Sequence, residues 1–80
     1  MSALKNNKIN TLARVLRNES SVEFKYNGFF YEIFESTDTG FVVNLYSRDD
    51  KDDDGEFIET YLVDGGLCTG SAIDAIEFML

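Results

Sequence analysis

The 80-residue chain contains no histidine, no proline and no tryptophan, and it has a single cysteine. Without histidine, neither a cysteine–histidine nor a serine–histidine nucleophile can be assembled, and zinc sites of the usual kinds lack their ligands. One cysteine cannot form an internal disulfide, which favours a reducing compartment. A pair of carboxylates can act as acid and base, but so small a domain offers little pocket for a substrate. We therefore expect a protein that is not an enzyme and uses no cofactor.

Long apolar runs are also missing. The first ten residues do not resemble a signal peptide, and no segment approaches the roughly 20 apolar residues of a membrane span. We therefore expect a cytoplasmic protein without membrane contact. The chain is nevertheless 44% hydrophobic and 14% aromatic, which suffices for a packed core and predicts a single domain over residues 1–80.

Basic residues are few and unevenly distributed. Residues 1–25 contain five basic and two acidic residues, a net charge of +3, whereas residues 26–80 contain two basic and thirteen acidic residues, a net charge of −11. Seven of the eleven residues from 49 to 59 are carboxylates. A surface of this kind repels nucleic acid and attracts cations or basic proteins. The charge pattern predicts a basic protein partner and no direct binding of nucleic acid.

The N-terminal segment has the spacing of an amphipathic helix. Apolar residues recur at i, i+3, i+4 and i+7, namely at Ile9, Leu12, Ala13 and Leu16. The pattern predicts a helix over residues 3–17 with a basic outer side. Ser2 is expected to cap its start and Asn18 its end.

Asn27-Gly28 separates two alternating aromatic runs within residues 21–35. Asn-Gly is the strongest short hairpin signal, because a type I′ turn needs a positive φ at both central residues. A two-residue loop sets the register of the two strands. On one face it pairs Tyr26 with Phe29, Phe24 with Tyr31 and Val22 with Ile33. On the other face it pairs Lys25 with Phe30 and Glu23 with Glu32. The first face is expected to lie under the helices, and Phe34 shares the second.

The rest of the chain predicts two more strands and a short helix. The expected elements are a turn at 36–40, a strand at 41–47, an acidic hairpin loop, a strand at 57–63, a break at 64–66 and a helix from Ser71 to Leu80. Ser71 and Asp74 form a variant of the capping box. The fold class is therefore α+β, with an N-terminal helix, a four-stranded antiparallel β-meander and a short C-terminal helix, both helices on one sheet face. The register of the strand at 57–63 stays open, because a one-residue slip exchanges its faces.

The outer sheet face and the acidic segment form the predicted partner-binding surface. Its residues are Phe30, Glu32, Phe34, Glu35, Asp49, Asp50, Asp52, Asp53, Asp54, Glu56 and Glu59. Carboxylates spaced along a rigid sheet imitate a row of phosphates, so a basic protein groove accepts them by the electrostatics it uses for DNA. The other interpretation is that the acidity only keeps a small protein soluble.

An alternative hypothesis is a calcium site. The segment from Asp50 to Gly55 matches the opening D-x-D-x-D-G of a calcium loop, with Asp50, Asp52 and Asp54 as candidate ligands. The match then fails, because position 12 is Tyr61 instead of a bidentate glutamate and Glu59 comes two residues early. A solvated turn explains the same residues.

A third hypothesis is an accessory protein that forms a homodimer through Ile73, Ile76, Met79 and Leu80.

Two further motifs favour structural roles. Cys68 precedes a helix, where a thiol pKa can fall, but Asp64 lies nearby and no histidine is available, so we expect a packing residue. The glycines at 65, 66 and 70 lack the lysine of a phosphate-binding loop and fit a turn and a helix cap.

The order of helix, strands and helix resembles that of double-stranded RNA-binding domains, but the second helix carries Asp74 and Glu77 and no basic residue, so RNA binding is not carried over. In size, in its acidic run 49–59 and in a compact helix-and-sheet pattern without catalytic residues, the chain resembles small acidic proteins of bacteriophages and other mobile elements, including anti-restriction and anti-CRISPR proteins. The resemblance implies inhibition of a host defence protein, in some cases by DNA mimicry. The basic helix at 3–17 departs from an evenly acidic mimic.

Overall fold

The computed structural model describes residues 5–36 and 40–80. Within these residues the chain forms two α-helices and one antiparallel sheet with the strand order β1-β2-β3-β4. The elements are α1 (Asn6–Glu19), β1 (Ser21–Tyr26), β2 (Phe29–Ser36), β3 (Gly40–Tyr46), a 3₁₀ turn (Glu59–Tyr61), β4 (Leu62–Cys68) and α2 (Ala72–Glu77). The predicted α+β meander with a helix at each end is confirmed.

Helix α1 buries the face that its sequence predicts, with Ile9, Leu12, Ala13 and Leu16 turned to the core. The helix begins at Asn6, after Lys5, whose backbone is extended and whose side chain makes no capping hydrogen bond. The predicted end at Asn18 is wrong, because the helix continues to Glu19 and closes on Ser20 in the left-handed conformation, at φ 65°. The predicted cap Ser2 lies outside the described residues.

The hairpin of β1 and β2 has the predicted register, from Ser21 opposite Phe34 to Tyr26 opposite Phe29. Asn27 and Gly28 both take positive φ, at 54° and 83°, as a two-residue loop requires. Since side chains alternate across a strand, this register fixes which residues face the helices and which face outward.

Both helices pack on the same face of the sheet, as predicted. Val22, Ile33 and Val43 stand in adjacent positions on β1, β2 and β3 and form the floor of the core. The helices contribute Leu16 and Ile76, which are fully buried. Cys68 is also buried in this core, in line with the packing role predicted for it.

The predicted strand at 57–63 is wrong. The fourth strand is Leu62–Cys68 and pairs Val42 with Leu67 and Val43 with Gly66, so the predicted break at 64–66 lies inside it. A glycine is required at position 66 because the residues that follow α2 pack directly against it. A Cβ on Gly66 would lie 2.7 Å from the Phe78 ring and 3.1 Å from the Met79 methyl group. The glycine thus permits close helix–strand packing instead of ending the strand.

Helix α2 is shorter than predicted, but its capping box is confirmed. The Asp74 N–H donates to Ser71 Oγ at 3.2 Å, and the Ser71 N–H donates to Asp74 Oδ2 at 3.0 Å. The helix buries Ile76 completely, and Met79 packs against the core. The surface predicted for dimerisation is therefore not formed as a unit, because these two side chains are used inside the domain and only Ile73 and Leu80 are exposed.

The predicted turn at 36–40 falls largely outside the described residues. Residues 37–39 are not described, and Gly40 already begins β3. None of the helices in the described ranges is long and apolar enough to cross a membrane.

Candidate functional site

The outer face of the sheet consists of three rows that run across the strands. The first row is Ser21, Phe34, Val42 and Leu67; the second is Glu23, Glu32, Asn44 and Gly65; the third is Lys25, Phe30, Tyr46 and Leu62. The first row is mainly apolar, the second is polar and acidic, and the third is mainly aromatic and apolar. This face lies opposite the two helices.

The acidic segment folds back over this face and does not project as an open loop between strands. Residues 50–58, which we call the acidic hairpin, pair with each other through a bridge between Lys51 and Phe57. The Asp52 N–H donates to the Glu56 carbonyl at 2.9 Å, and the Ile58 N–H donates to the Asp50 carbonyl at 3.3 Å. The carboxylates are thereby held on an ordered scaffold.

Asp52 builds the turn of the acidic hairpin with its own side chain. Its Oδ1 accepts the N–H groups of Asp54 at 2.9 Å and Glu56 at 3.1 Å. Gly55 completes the turn with a φ of 80°. This is the local side-chain-to-backbone bonding that aspartate favours in turns. Asp52 therefore has a structural role, whereas the side chains of Asp53 and Asp54 are exposed.

Phe57 and Lys51 anchor the acidic hairpin to the sheet. The Phe57 ring stacks on Tyr46 with a centroid distance of 4.6 Å. Lys51 Nζ lies 4.6 Å from the Phe57 ring centroid and 2.6 Å from Glu23 Oε1. Lys51 thus neutralises one of the two glutamates that β1 and β2 place opposite each other.

Glu32, the other member of that pair, is held by hydrogen bonds. Its Oε1 accepts from Asn44 Nδ2 at 3.2 Å and from Tyr46 Oη at 3.3 Å. Burial raises the pKa of Tyr46 to about 12, with the negative charge of Glu32 and the bond to it adding to the shift. The phenol therefore stays protonated and keeps donating to Glu32 throughout the physiological range.

The raised pKa of Tyr46 makes stability depend on alkaline pH. An unfolded tyrosine loses its proton near pH 10, and the folded one near pH 12, so the unfolded state is stabilised first as pH rises. We expect the free energy of unfolding to fall between about pH 10 and 12, by at most about 3 kcal/mol from this residue. The Tyr46→Phe variant should lose about 1 kcal/mol at neutral pH, with its hydrogen bond, but show a smaller alkaline fall.

Urea denaturation at neutral pH and at about pH 11 checks this difference. Tyr31, whose pKa is raised by burial and by Tyr26, is present in both proteins and serves as the internal reference. An equal alkaline fall in the variant would contradict the assignment to Tyr46.

An open pocket of about 360 Å³ lies where the acidic hairpin meets β1 and β2. Its lining comprises Ser21, Glu23, Glu32, Phe34, Gly55 and Glu56. Three carboxylates and one aromatic ring thus converge on a single concave surface. This combination suits a cationic group that also has an apolar part.

The basic residues on this side of the molecule are already engaged. Lys25 lies over the Phe30 ring at 5.3 Å, and Arg48 bonds to Asp50 at 2.7 Å while its guanidinium lies over the Tyr61 ring. Lys51 is bound to Glu23. In residues 5–36 and 40–80, no basic side chain forms an ion pair with the exposed acids of the hairpin tip, Asp53, Asp54 and Glu56.

The structure brings most of the predicted partner-binding residues to one side. Phe30, Glu32 and Phe34 lie on the outer face, the acidic hairpin holds Asp50, Asp52, Asp53, Asp54 and Glu56, and Asp49 and Glu59 flank it. Glu35 lies on the other sheet face, since it alternates with Phe34. The sequence prediction missed the anchoring roles of Lys51, Tyr46 and Phe57, which depend on contacts between distant residues.

The predicted calcium ligands do not come together. Among the described residues there is no group of three or more acidic, histidine or cysteine side chains placed to hold a metal ion. Asp50 binds Arg48, and Asp52 Oδ1 accepts two backbone N–H groups. The described residues therefore give the calcium hypothesis no support.

Comparison with known proteins leaves the site to be interpreted from its own geometry and charge. No family model, no curated protein and no solved structure matches this chain.

Proposed function

We propose that this chain is a non-enzymatic interaction protein that binds a basic surface of another protein through its acidic hairpin and outer sheet face. The observation that carries the proposal is the pocket that Glu23, Glu32, Glu56 and Phe34 line together. Next to it, the tip of the hairpin exposes Asp53 and Asp54. Lys51 already pairs with Glu23, but in residues 5–36 and 40–80 no basic side chain forms an ion pair with Glu32, Glu56, Asp53 or Asp54, so a basic protein surface would supply their cations.

The distribution of charge supports a defined binding side. Lys5, directly before α1, and the α1 residues Lys8, Arg14 and Arg17 are exposed on the helical layer, opposite the outer sheet face. The molecule is therefore bipolar, with its acidic side turned away from its basic helix. Such a field orients an approaching basic partner and raises the association rate.

The most concrete version of the proposal is inhibition of a protein that acts on nucleic acid, such as a host defence protein. Carboxylates held in fixed positions present a basic groove with charges comparable to a row of phosphates. The bonds of Asp52 to Asp54 and Glu56, and the stacking of Phe57 on Tyr46, favour this version because they fix the hairpin before it binds.

The first experiment is affinity capture by the tagged full-length chain from a bacterial lysate at low and at moderate salt. Mass spectrometry identifies the captured proteins. A dominant protein with a basic surface that is lost with salt would support the proposal. Lack of a specific partner in either buffer would contradict it.

A matched pair of variants then tests the acidic side. The hairpin variant carries Asp53→Asn, Asp54→Asn and Glu56→Gln, and the control carries Glu19→Gln, Glu35→Gln and Glu77→Gln; each removes three exposed negative charges. We expect the hairpin variant to bind the captured protein roughly tenfold more weakly and with a flatter salt dependence, whereas the control stays close to wild type. Calorimetry measures both. Equal weakening would show that net charge alone matters, and unchanged affinity of the hairpin variant would sink the proposed site.

A further inference from the structure

The acidic hairpin leaves the first row of the outer sheet face uncovered. Phe34 and Leu67 are 37% and 47% exposed, and Val42 lies half-buried between them. These three side chains are direct neighbours across β2, β3 and β4 and form one apolar row. In the third row, by contrast, Tyr46 lies under Phe57 and is only 7% exposed. The third row is thus covered at its centre and open at Leu62, which is 41% exposed, whereas the first row is uncovered from Phe34 to Leu67.

The strand edges are less suited than this face to a partner. The pairing of the edge strand β4 with β3 shifts register between Leu45 and Tyr46, and in β4 itself Asp64 Oδ1 accepts the N–H of Gly65 at 2.8 Å. An irregular register and an occupied donor both hinder the addition of another strand. The β1 edge carries the charged side chains of Glu23 and Lys25. The open face is therefore the better docking surface.

We infer that the apolar row Phe34–Val42–Leu67 is the docking surface for a segment of the basic partner that presents an apolar side chain beside arginine. This inference rests on the proposed function and locates its contact. The acidic residues of the second row, Glu23 and Glu32, lie two residues along the strands from the apolar row, a separation of about 7 Å. The partner's apolar side chain covers the row while its cation enters the adjacent pocket.

Charge complementarity and shape select arginine for the pocket. Both donors to Glu32 bond to Oε1, so Oε2 keeps its acceptor capacity, and Glu56 adds a further carboxylate to the lining. A planar guanidinium stacks on the exposed Phe34 ring and directs its forked donors at carboxylates, whereas a lysine offers a point charge. Arginine should therefore bind more tightly than lysine at this position.

A second copy of the chain is a poorer occupant. Its basic helix α1 offers Val15, 37% exposed, next to Arg14. However, each copy carries a net charge of −8, so two copies repel each other at long range. A basic partner protein has no such penalty.

The experiment titrates the ¹⁵N-labelled full-length chain with three synthetic helical peptides and follows the amide signals by NMR. The first peptide has arginines on one side and leucines on the other, the second replaces the leucines with serine, and the third replaces the arginines with lysine. We expect the arginine–leucine peptide to shift the signals of Phe34, Val42, Leu67 and Glu32. The serine peptide should bind roughly tenfold more weakly, because it buries less apolar surface, and the lysine peptide should also bind more weakly.

Three single variants complete the test with the arginine–leucine peptide. Phe34→Gln and Leu67→Gln should each weaken binding roughly tenfold, while Val15→Gln, on the opposite layer and as exposed as Phe34, should not change it. If the two variants of the row bind like wild type while the hairpin variant binds weakly, the docking row is wrong and the proposed function stands. If neither the two variants of the row nor the hairpin variant weakens binding, the docking row and the proposed function are both wrong. Self-association in sedimentation that is lost when Arg14 is replaced would assign the row to a second copy and overturn the inference.

Discussion

The Ile76→Ala variant is expected to lose about 2–5 kcal/mol of unfolding free energy, the usual range for truncating a large aliphatic side chain in a core. Ile76 is 0% exposed and belongs to the same buried cluster as Leu16, Ile33 and Val43. A domain of this size has a total stability of roughly 4–12 kcal/mol, so the variant should be partly unfolded near 37 °C. Urea denaturation followed by circular dichroism measures the loss.

The control variant is Ile73→Ala in the same helix. Ile73 is 36% exposed, so the same substitution removes fewer buried contacts and should cost less than about 1 kcal/mol. Both variants replace isoleucine with the better helix former, so differences in helix propensity cancel. Equal losses in the two variants would contradict the position of Ile76 in the core. A stable Ile76→Ala monomer replacing a wild-type dimer would instead restore the hypothesis of a dimer surface on α2.

Local signals in the sequence predicted the elements that depend on neighbouring residues. The spacing of Ile9, Leu12 and Leu16 gave the buried face of α1, and Asn27-Gly28 gave both the turn and the register of β1 and β2. The capping box of α2 was predicted for the same reason, since Ser71 and Asp74 lie in one turn. In each case the signal lies in residues a few positions apart, although the packing that stabilises the buried face of α1 is with distant residues.

The fourth strand could not be predicted in this way, because its glycines are explained by distant parts of the chain. Gly66 fits only because Phe78 and Met79 pack above it, and Gly65 lies opposite Asn44. Read without these neighbours, two adjacent glycines indicate a turn. Phe57 was likewise predicted to begin a strand, whereas it lies in the acidic hairpin outside the sheet and its ring stacks on Tyr46.

The acidic surface was predictable in composition but not in shape. Net charge and the run 49–59 were sufficient to predict attraction for cations. The pocket lies between the sheet and the acidic hairpin, which is held by contacts between distant residues: the bond of Lys51 to Glu23, 28 positions apart, and the stacking of Phe57 on Tyr46. The inclusion of Glu35 in this surface was wrong, although strand alternation alone places it on the other sheet face, because it shares the parity of the buried Ile33.

The Gly40→Ala variant is expected to lose roughly 3 kcal/mol or more, because two costs combine at one residue. Gly40 takes a φ of 132°, in a region that residues with a Cβ avoid. A Cβ there would also collide with the carbonyl oxygen of Cys68 and lie 3.0 Å from Thr69 Cα, both of them backbone atoms. Relief requires β3 and β4 to separate where Phe41 pairs with Cys68. Urea and thermal denaturation measure the loss.

Gly28→Ala separates the two costs. Gly28 also has a positive φ, at 83°, but a Cβ there would meet no atom within 4 Å. This variant should therefore show backbone strain alone, about 1–2 kcal/mol. A clearly larger loss for Gly40→Ala assigns the difference to the close approach of the two backbones. If the two variants lose the same amount, strain explains both, and the contact between Gly40 and the end of β4 does not constrain the sheet.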